Sequence, residues 1–235
     1  MMTDQVSLSC TLMHYQGASE RRISLERIIQ RLQPQKIVDH WRDFCVMSDM
    51  YKRGPWWNAK RCWEHAATQQ TTHHLLLQDD IEVCKDFVTG VFDVIKVFPN
   101  DVLSLFHGPR KNFDGSCRWG ITNTGPWGQA IVMPTPLISK FLIWQDAHVD
   151  KRLKHDDSRL ALFLYKTKRR TMVPFPNLID HCQLKSVVGN SWSQPRVSSN
   201  FLADRSPHDF DWSDTGRYMK SNNSLSQYNK FLINL

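Results

Sequence analysis

The chain contains no run of about 18 to 20 apolar residues, so no segment reads as a helix that crosses a bilayer. Its first residues, Met1-Met2-Thr3-Asp4-Gln5, lack the basic start and apolar stretch of a secretory signal. No Cys-x-x-Cys pair occurs. Cys10, Cys45, Cys62, Cys84, Cys117 and Cys182 stand singly, which argues against a zinc ribbon and a redox dithiol. Cys10 and Cys84 sit in or beside apolar runs, so the cysteines read as free thiols and the chain as a soluble protein of a reducing cytoplasm. Internal repeats and low-complexity blocks are also missing, which excludes a solenoid or a tail-like chain. Acidic residues are fewer than basic ones, 23 against 30, giving a net charge of +7 and a pI near 9.2. That excess favours a polyanionic partner such as nucleic acid, a nucleotide diphosphate or an acidic glycan.

What is present is an ordinary globular composition, 41% hydrophobic and 23% charged over 235 residues, enough for a large core without staples. Val6 to Met13 alternates and is rich in strand formers. Glu20 to Leu32 follows with near-helical spacing, closed by Pro34, and Lys36 to Asp39 reads as a short second strand. Trp56 to Gln70 reads as a helix, and His74-Leu75-Leu76-Leu77 as a fully buried central strand. A helix over Cys84 to Phe98 comes next, then strands at Val102 to Phe106 and Gln129 to Met133. Helices over Pro136 to Trp144 and Asp157 to Tyr165 complete the pattern. This alternation predicts an α/β fold with a mostly parallel central sheet flanked by helices. From about Gly189 the periodicity fades, so residues 1–189 read as the catalytic domain and 190–235 as an irregular C-terminal extension wrapped over it.

The segment that carries chemistry is Gln78-Asp79-Asp80-Ile81-Glu82, at the carboxyl end of the buried strand, where open α/β sheets bind ligands. Adjacent carboxylates need compensation, and a hard divalent ion such as Mg²⁺ or Mn²⁺ supplies it while bridging to phosphates. A plain surface turn or helix cap is the alternative.

Leu75-Leu76-Leu77-Gln78-Asp79-Asp80-Ile81 resembles the donor-site motif of glycosyltransferases with the GT-A (Rossmann-like) fold, nearest the lipooligosaccharide-type (family 25) and family 2-like enzymes. The triplet departs by having Gln78 where an acidic residue is usual. The resemblance implies a nucleotide-sugar donor such as a UDP-sugar, with Asp80 as metal ligand and Asp79 supporting the ribose or metal. Glu82 is a further candidate ligand, since residues 80 and 82 share a face if the strand continues. Val173 to His181, followed by Ser186-Val187-Val188-Gly189, is similar to the segment whose histidine completes the metal shell in such enzymes, which makes His181 a ligand; a structural hydrogen-bonding histidine is the alternative. His155-Asp156-Asp157-Ser158 matches the region that supplies the general base, with Asp157 the first choice and Asp156 the second, one of the two capping a helix. By the same resemblance His14, Arg21, Asp39 and Arg61 lie near the nucleotide.

The acceptor is less marked. Trp119 and Trp127, among Gly120, Gly125 and Gly128, suit a sugar ring or a base lying on an aromatic face, or else the core. Lys151, Arg152, Lys154, Arg159, Lys166, Lys168, Arg169 and Arg170 form a basic run around the candidate base that could track a phosphate backbone. Compact basic enzymes of this kind resemble phage DNA glycosyltransferases, which implies a hydroxymethylated pyrimidine in DNA as acceptor. The alternatives are a glycosyltransferase of lipopolysaccharide or capsule synthesis and a non-catalytic nucleic-acid-binding protein of GT-A-like shape. A nucleotidyltransferase would need a Gly-rich loop after the first strand, and His14 to Arg22 holds only Gly17.

Overall fold

The computed structural model describes residues 5–32, 41–108, 117–122, 125–184, 196–198, 200–221 and 226–233. Strand β1 (Leu8–Tyr15) leads through helix α1 (Ser19–Leu32) to β2 (Trp41–Asp49), and α2 (Pro55–Ala67) returns to β3 (His73–Gln78). The chain then turns at Asp79-Asp80 into a short β4 (Ile81–Val83), followed by α3 (Phe87–Val97) and β5 (Val102–Ser104). Strands β6 (Trp119–Thr122) and β7 (Ala130–Pro134) precede α4 (Thr135–His148) and α5 (Asp156–Lys166). Last come β8 (Thr171–Pro174), β9 (Ile179–His181) and β10 (Tyr218–Ser221).

Eight strands form one sheet in the order β10-β6-β8-β5-β7-β3-β1-β2, and β4 pairs with β9 in a separate antiparallel ribbon. Among the described pairings of the large sheet, β1·β2, β1·β3, β5·β8 and β6·β10 are parallel; β3·β7, β5·β7 and β6·β8 are antiparallel. The α/β class stands as the periodicity implied, with a mixed sheet. Period-two burial divides the core. Leu8, Cys10, Leu12, Leu75 and Leu77 face α1 and α3, whereas Leu76, Ile131 and Met133 face α2, α4 and α5. Helices therefore cover both faces.

The strand expected at 36–39, Asp39 included, lies outside the described residues, and β2 occupies 41–49. Residues 43–48 are all half-buried, because β2 is an edge strand, so it lacks the alternation that betrays a strand with one dry face. Described parts of the C-terminal stretch are woven into the fold. Trp212 is buried, its carbonyl accepts the Trp119 indole N–H at 2.8 Å, and β10 extends the sheet. Trp119 is thus a core residue and not a ligand platform. No disulfide joins the described cysteines, and no described helix is long and apolar enough to cross a membrane.

Gly125 fixes how the loop before β7 meets α5. Its φ is +85°, and a Cβ there would strike Ala161, whose Cα would lie 2.6 Å away. Gly125→Ala should therefore destabilise the protein by about 2–4 kcal/mol, from left-handed strain and overpacking together. A urea midpoint equal to that of the parent would contradict this.

Candidate functional site

Strand β1 lies between β2 and β3; α1, which follows β1, covers one face of the sheet, and α2, which follows β2, covers the other. The strand order reverses there, which opens a crevice beyond the carboxyl ends of the strands. A cleft of about 540 Å³ occupies that place, within the usual size of a small-molecule site. Its floor is Met13 and His14 from the end of β1 with Gln78, Asp79 and Asp80 from the end of β3. One wall is the β2–α2 turn, from Asp49 to Asn58; the other is Gly128, Gln129 and the start of α5, from Lys154 to Asp157.

The acidic pair is held by a dense set of partners. Asp79 accepts from His14 Nδ1 and the Tyr15 backbone N–H, each at 2.8 Å, and from Arg21 Nη1. Arg21 Nη2 reaches Asp80 Oδ2 at 2.9 Å. One guanidinium from the first turn of α1 thus bridges both carboxylates, and all three side chains are buried. Burial pulls the Arg21 pKa down, but the Asp80 and Asp79 carboxylates more than offset it and leave it raised. The resemblance placed Arg21 near the nucleotide; here it is the counter-ion of the acidic pair.

His181, at the end of β9, lies with its Nε2 3.5 Å from Asp80 Oδ2. Both of its ring nitrogens and Asp80 Oδ1 are buried without a hydrogen-bond partner. Burial lowers the His181 pKa, with Asp80 opposing. Glu82 does not join them. The strand breaks at Asp79-Asp80, and Glu82 is exposed on β4, lining a separate cleft with Arg27 and Lys85. The shared face that would have brought 80 and 82 together therefore never forms. No cluster of three or more His, Cys, Asp or Glu side chains suited to a metal ion is found among the described residues.

Across the cleft, Asp156 opens α5 and is buried, with Oδ2 unpartnered; Asp157 is half-buried and accepts from the Ser158 backbone N–H at 2.6 Å. Burial and then the Asp157 carboxylate raise the Asp156 pKa to about 7, with the Gln78 side chain pulling the other way. Burial raises Asp157 as well. Gly128 leaves room for this meeting: a Cβ there would come within 3.0 Å of Gln78 Nε2 and 3.5 Å of Asp156 Oδ2.

No family model and no curated protein matches this chain. Among solved structures, a crystal structure of residues 1–349 of S. aureus TarS is similar at a TM-score of 0.47 and 13% identity, over 74% of this chain and 59% of that one. A longer S. aureus TarS structure is similar at 0.48 and 13%, over 76% and 37%. The chain spans less than two thirds of either.

The structure thus gathers His14, Arg21, Asp79, Asp80, Asp156 and Asp157 around one cleft, with His181 beside Asp80. Arg61 is not among the residues lining it: its guanidinium stacks on Trp57 at 4.6 Å and donates to the Ser48 carbonyl. Two of the lining residues that sequence reasoning did not assign to the site shape it most directly. Asp49, at the true end of β2, accepts from the Tyr51 and Gly54 N–H groups and so shapes the wall; placing the strand at 36–39 hid it. Gln78 was noted only as a departure from an acidic pattern, yet it touches Asp156. The basic run disperses. Arg159 is buried, bonded to Leu153 O, Gln145 Oε1 and Asp150 O; Arg152 pairs with Asp150, and Arg170 with Asp101 at the opposite end of the sheet. Of that run only Lys154 lines the cleft.

Proposed function

We propose that this chain is a glycosyltransferase of GT-A type that moves a sugar from a nucleotide-diphosphate donor to an acceptor hydroxyl. One observation carries the reading: two acidic pairs of opposite character line a single cleft at the switch point, one locked by an arginine and the other free at Asp156 Oδ2. In this reading the β1 and β3 ends hold the donor, with Asp79 fixed by His14, Tyr15 and Arg21 to meet the ribose. Asp156 is the general base. It takes the proton of the acceptor hydroxyl as that oxygen attacks the anomeric carbon, and the nucleotide diphosphate leaves with the electrons of the broken bond. Asp156 takes precedence over Asp157 because its free oxygen has no other task, whereas Asp157 is tied to Ser158.

A divalent ion fits the unpartnered atoms. Asp80 and His181 offer one oxygen and one nitrogen ligand, leaving diphosphate oxygens and water to complete the shell, a donor set suited to Mn²⁺. Such an ion offsets charge on the departing diphosphate. Asp80 and His181 would hold it; Asp79 would orient the donor.

The DNA acceptor drawn from the basic run loses its support, since that run points several ways and one member is buried. A glycan acceptor, as in lipopolysaccharide or capsule synthesis, is the reading carried forward. The test is a mass-spectrometric screen of the full chain with Mn²⁺, a panel of nucleotide sugars, oligosaccharides and hydroxymethylated DNA. Metal-dependent consumption of one nucleotide sugar with a hexose- or pentose-sized gain on a glycan is the expected result. A gain on DNA restores the other acceptor. Failure of every donor to bind or turn over would sink the transferase reading.

A further inference from the structure

The β2–α2 turn carries a row of side chains that the chemistry of the cleft does not use. Tyr51 is 74% exposed. The Arg53 guanidinium lies 5.6 Å from the Tyr51 ring centroid and 4.8 Å from that of Trp57, and Arg61 lies 4.6 Å from Trp57. Ring and cation thus alternate along the start of α2, where residues 57 and 61 share a face. Neither arginine has a carboxylate partner among the described residues, whereas neighbouring Lys60 is paired with Asp146 and Glu64.

Stacking fixes each guanidinium plane and leaves N–H groups at its edge, so ordering these long side chains costs little more when an anion arrives. The row is continuous with the cleft. Lys52 and Gly54, interleaved with it in sequence, line the cleft wall, and Asp49 pins the turn through the Tyr51 and Gly54 N–H groups. The Trp56 N–H donates to the Lys154 carbonyl at 3.2 Å, which ties this turn to the segment entering Asp156. A chain lying along the row therefore leads to the proposed base.

We propose that this row binds the acceptor and that the acceptor is a glycan chain carrying anionic groups, phosphate or carboxylate; this rests on the transferase reading of the cleft. A single file of two guanidinium groups that lack a carboxylate partner among the described residues matches one anionic strand, not the many phosphates a duplex presents. Single-stranded nucleic acid would want bare aromatic faces for its bases, and Trp57 has arginine stacked on it twice.

The experiment measures binding to the full chain by fluorescence anisotropy. Four labelled probes of equal length are compared: oligogalacturonate, phosphorylated dextran, neutral dextran and single-stranded DNA. Calorimetry with UDP, GDP, CDP and dTDP reports separately on the cleft. One or both acidic glycans should bind, and which one identifies the anionic group; neutral dextran should not. The Arg53→Ala/Arg61→Ala double variant should weaken that binding by about 10- to 100-fold, the loss expected for charge-assisted hydrogen bonds. Arg53→Lys, which keeps charge but loses the flat fork, should fall between. Nucleoside diphosphate affinity should stay at the parent value in each, which also shows that the variants fold. Equal binding of neutral and acidic glycans, tighter binding of DNA, or no loss in the double variant would each overturn the proposal. Failure of every diphosphate to bind the parent protein would overturn the transferase reading instead.

Discussion

Replacing Asp156 by Asn should lower turnover by about 10²- to 10⁴-fold while making the protein more stable above neutral pH. Both effects have one cause. The carboxyl has a pKa of about 7 in the folded chain, against about 3.9 unfolded. Ionising it in the fold costs free energy that the unfolded chain avoids. That cost is absent below pH 4, grows as pH rises between the two values and is complete above pH 7. Asn carries no such cost, so Asp156→Asn should gain about 2–4 kcal/mol at pH 8, roughly 5–10 °C in Tm, and almost nothing at pH 4. After burial, the Asp157 carboxylate, the Asp156 and Asp157 backbone N–H groups and the Gln78 side chain are the groups that tune this value. Turnover of the parent should rise along a limb centred near pH 7. If Asp156→Asn turns over normally and Asp157→Asn does not, the base is Asp157. A thermal midpoint that does not rise at pH 8 would mean the carboxyl is not strained in the fold.

Arg21→Ala should have the largest destabilising effect of any single change at the site. Its removal leaves Asp79 Oδ1 and Asp80 Oδ2 buried without their cation, a loss of about 3–5 kcal/mol. Donor binding should weaken with it, because Asp79 is then held by His14 and the Tyr15 N–H alone. The variant also tests the metal assignment without any turnover. If Asp80 and His181 form part of a cation site, millimolar Mn²⁺ should recover some of the lost Tm by mass action on the folded state. The further change His181→Ala should abolish that recovery. Unchanged stability of Arg21→Ala would show that the carboxylates do not depend on the guanidinium, and a Tm indifferent to Mn²⁺ would remove the metal from the mechanism.

The acidic pair and the candidate base were legible in the sequence because each sits at the boundary of a strongly patterned element. Leu75-Leu76-Leu77 can hardly be anything but a buried strand, and Asp79-Asp80 ends it. Asp156-Asp157 begins a helix whose Leu160, Phe163 and Leu164 recur at helical spacing. Arg21 was seen, but not its bridge to the acidic pair: nothing local tells that the first turn of α1 bends back over residues 58 and 59 positions further along the chain. The Trp57–Arg61 pair escaped because Arg61 was assigned to the nucleotide by resemblance, whereas its guanidinium stacks on Trp57.

What the sequence determined by itself is the α/β class, the burial of β1 and β3 and the carboxylates that follow β3, because period-two and helical burial are written residue by residue. Tertiary structure alone decided that β1 lies between β2 and β3, that Arg21 closes over the acidic pair, that Glu82 turns away and that the basic run scatters. The reason is physical. Local patterns report which face of an element is dry, but a charge finds its partner across the sheet, and that choice depends on strand order, which no local periodicity encodes.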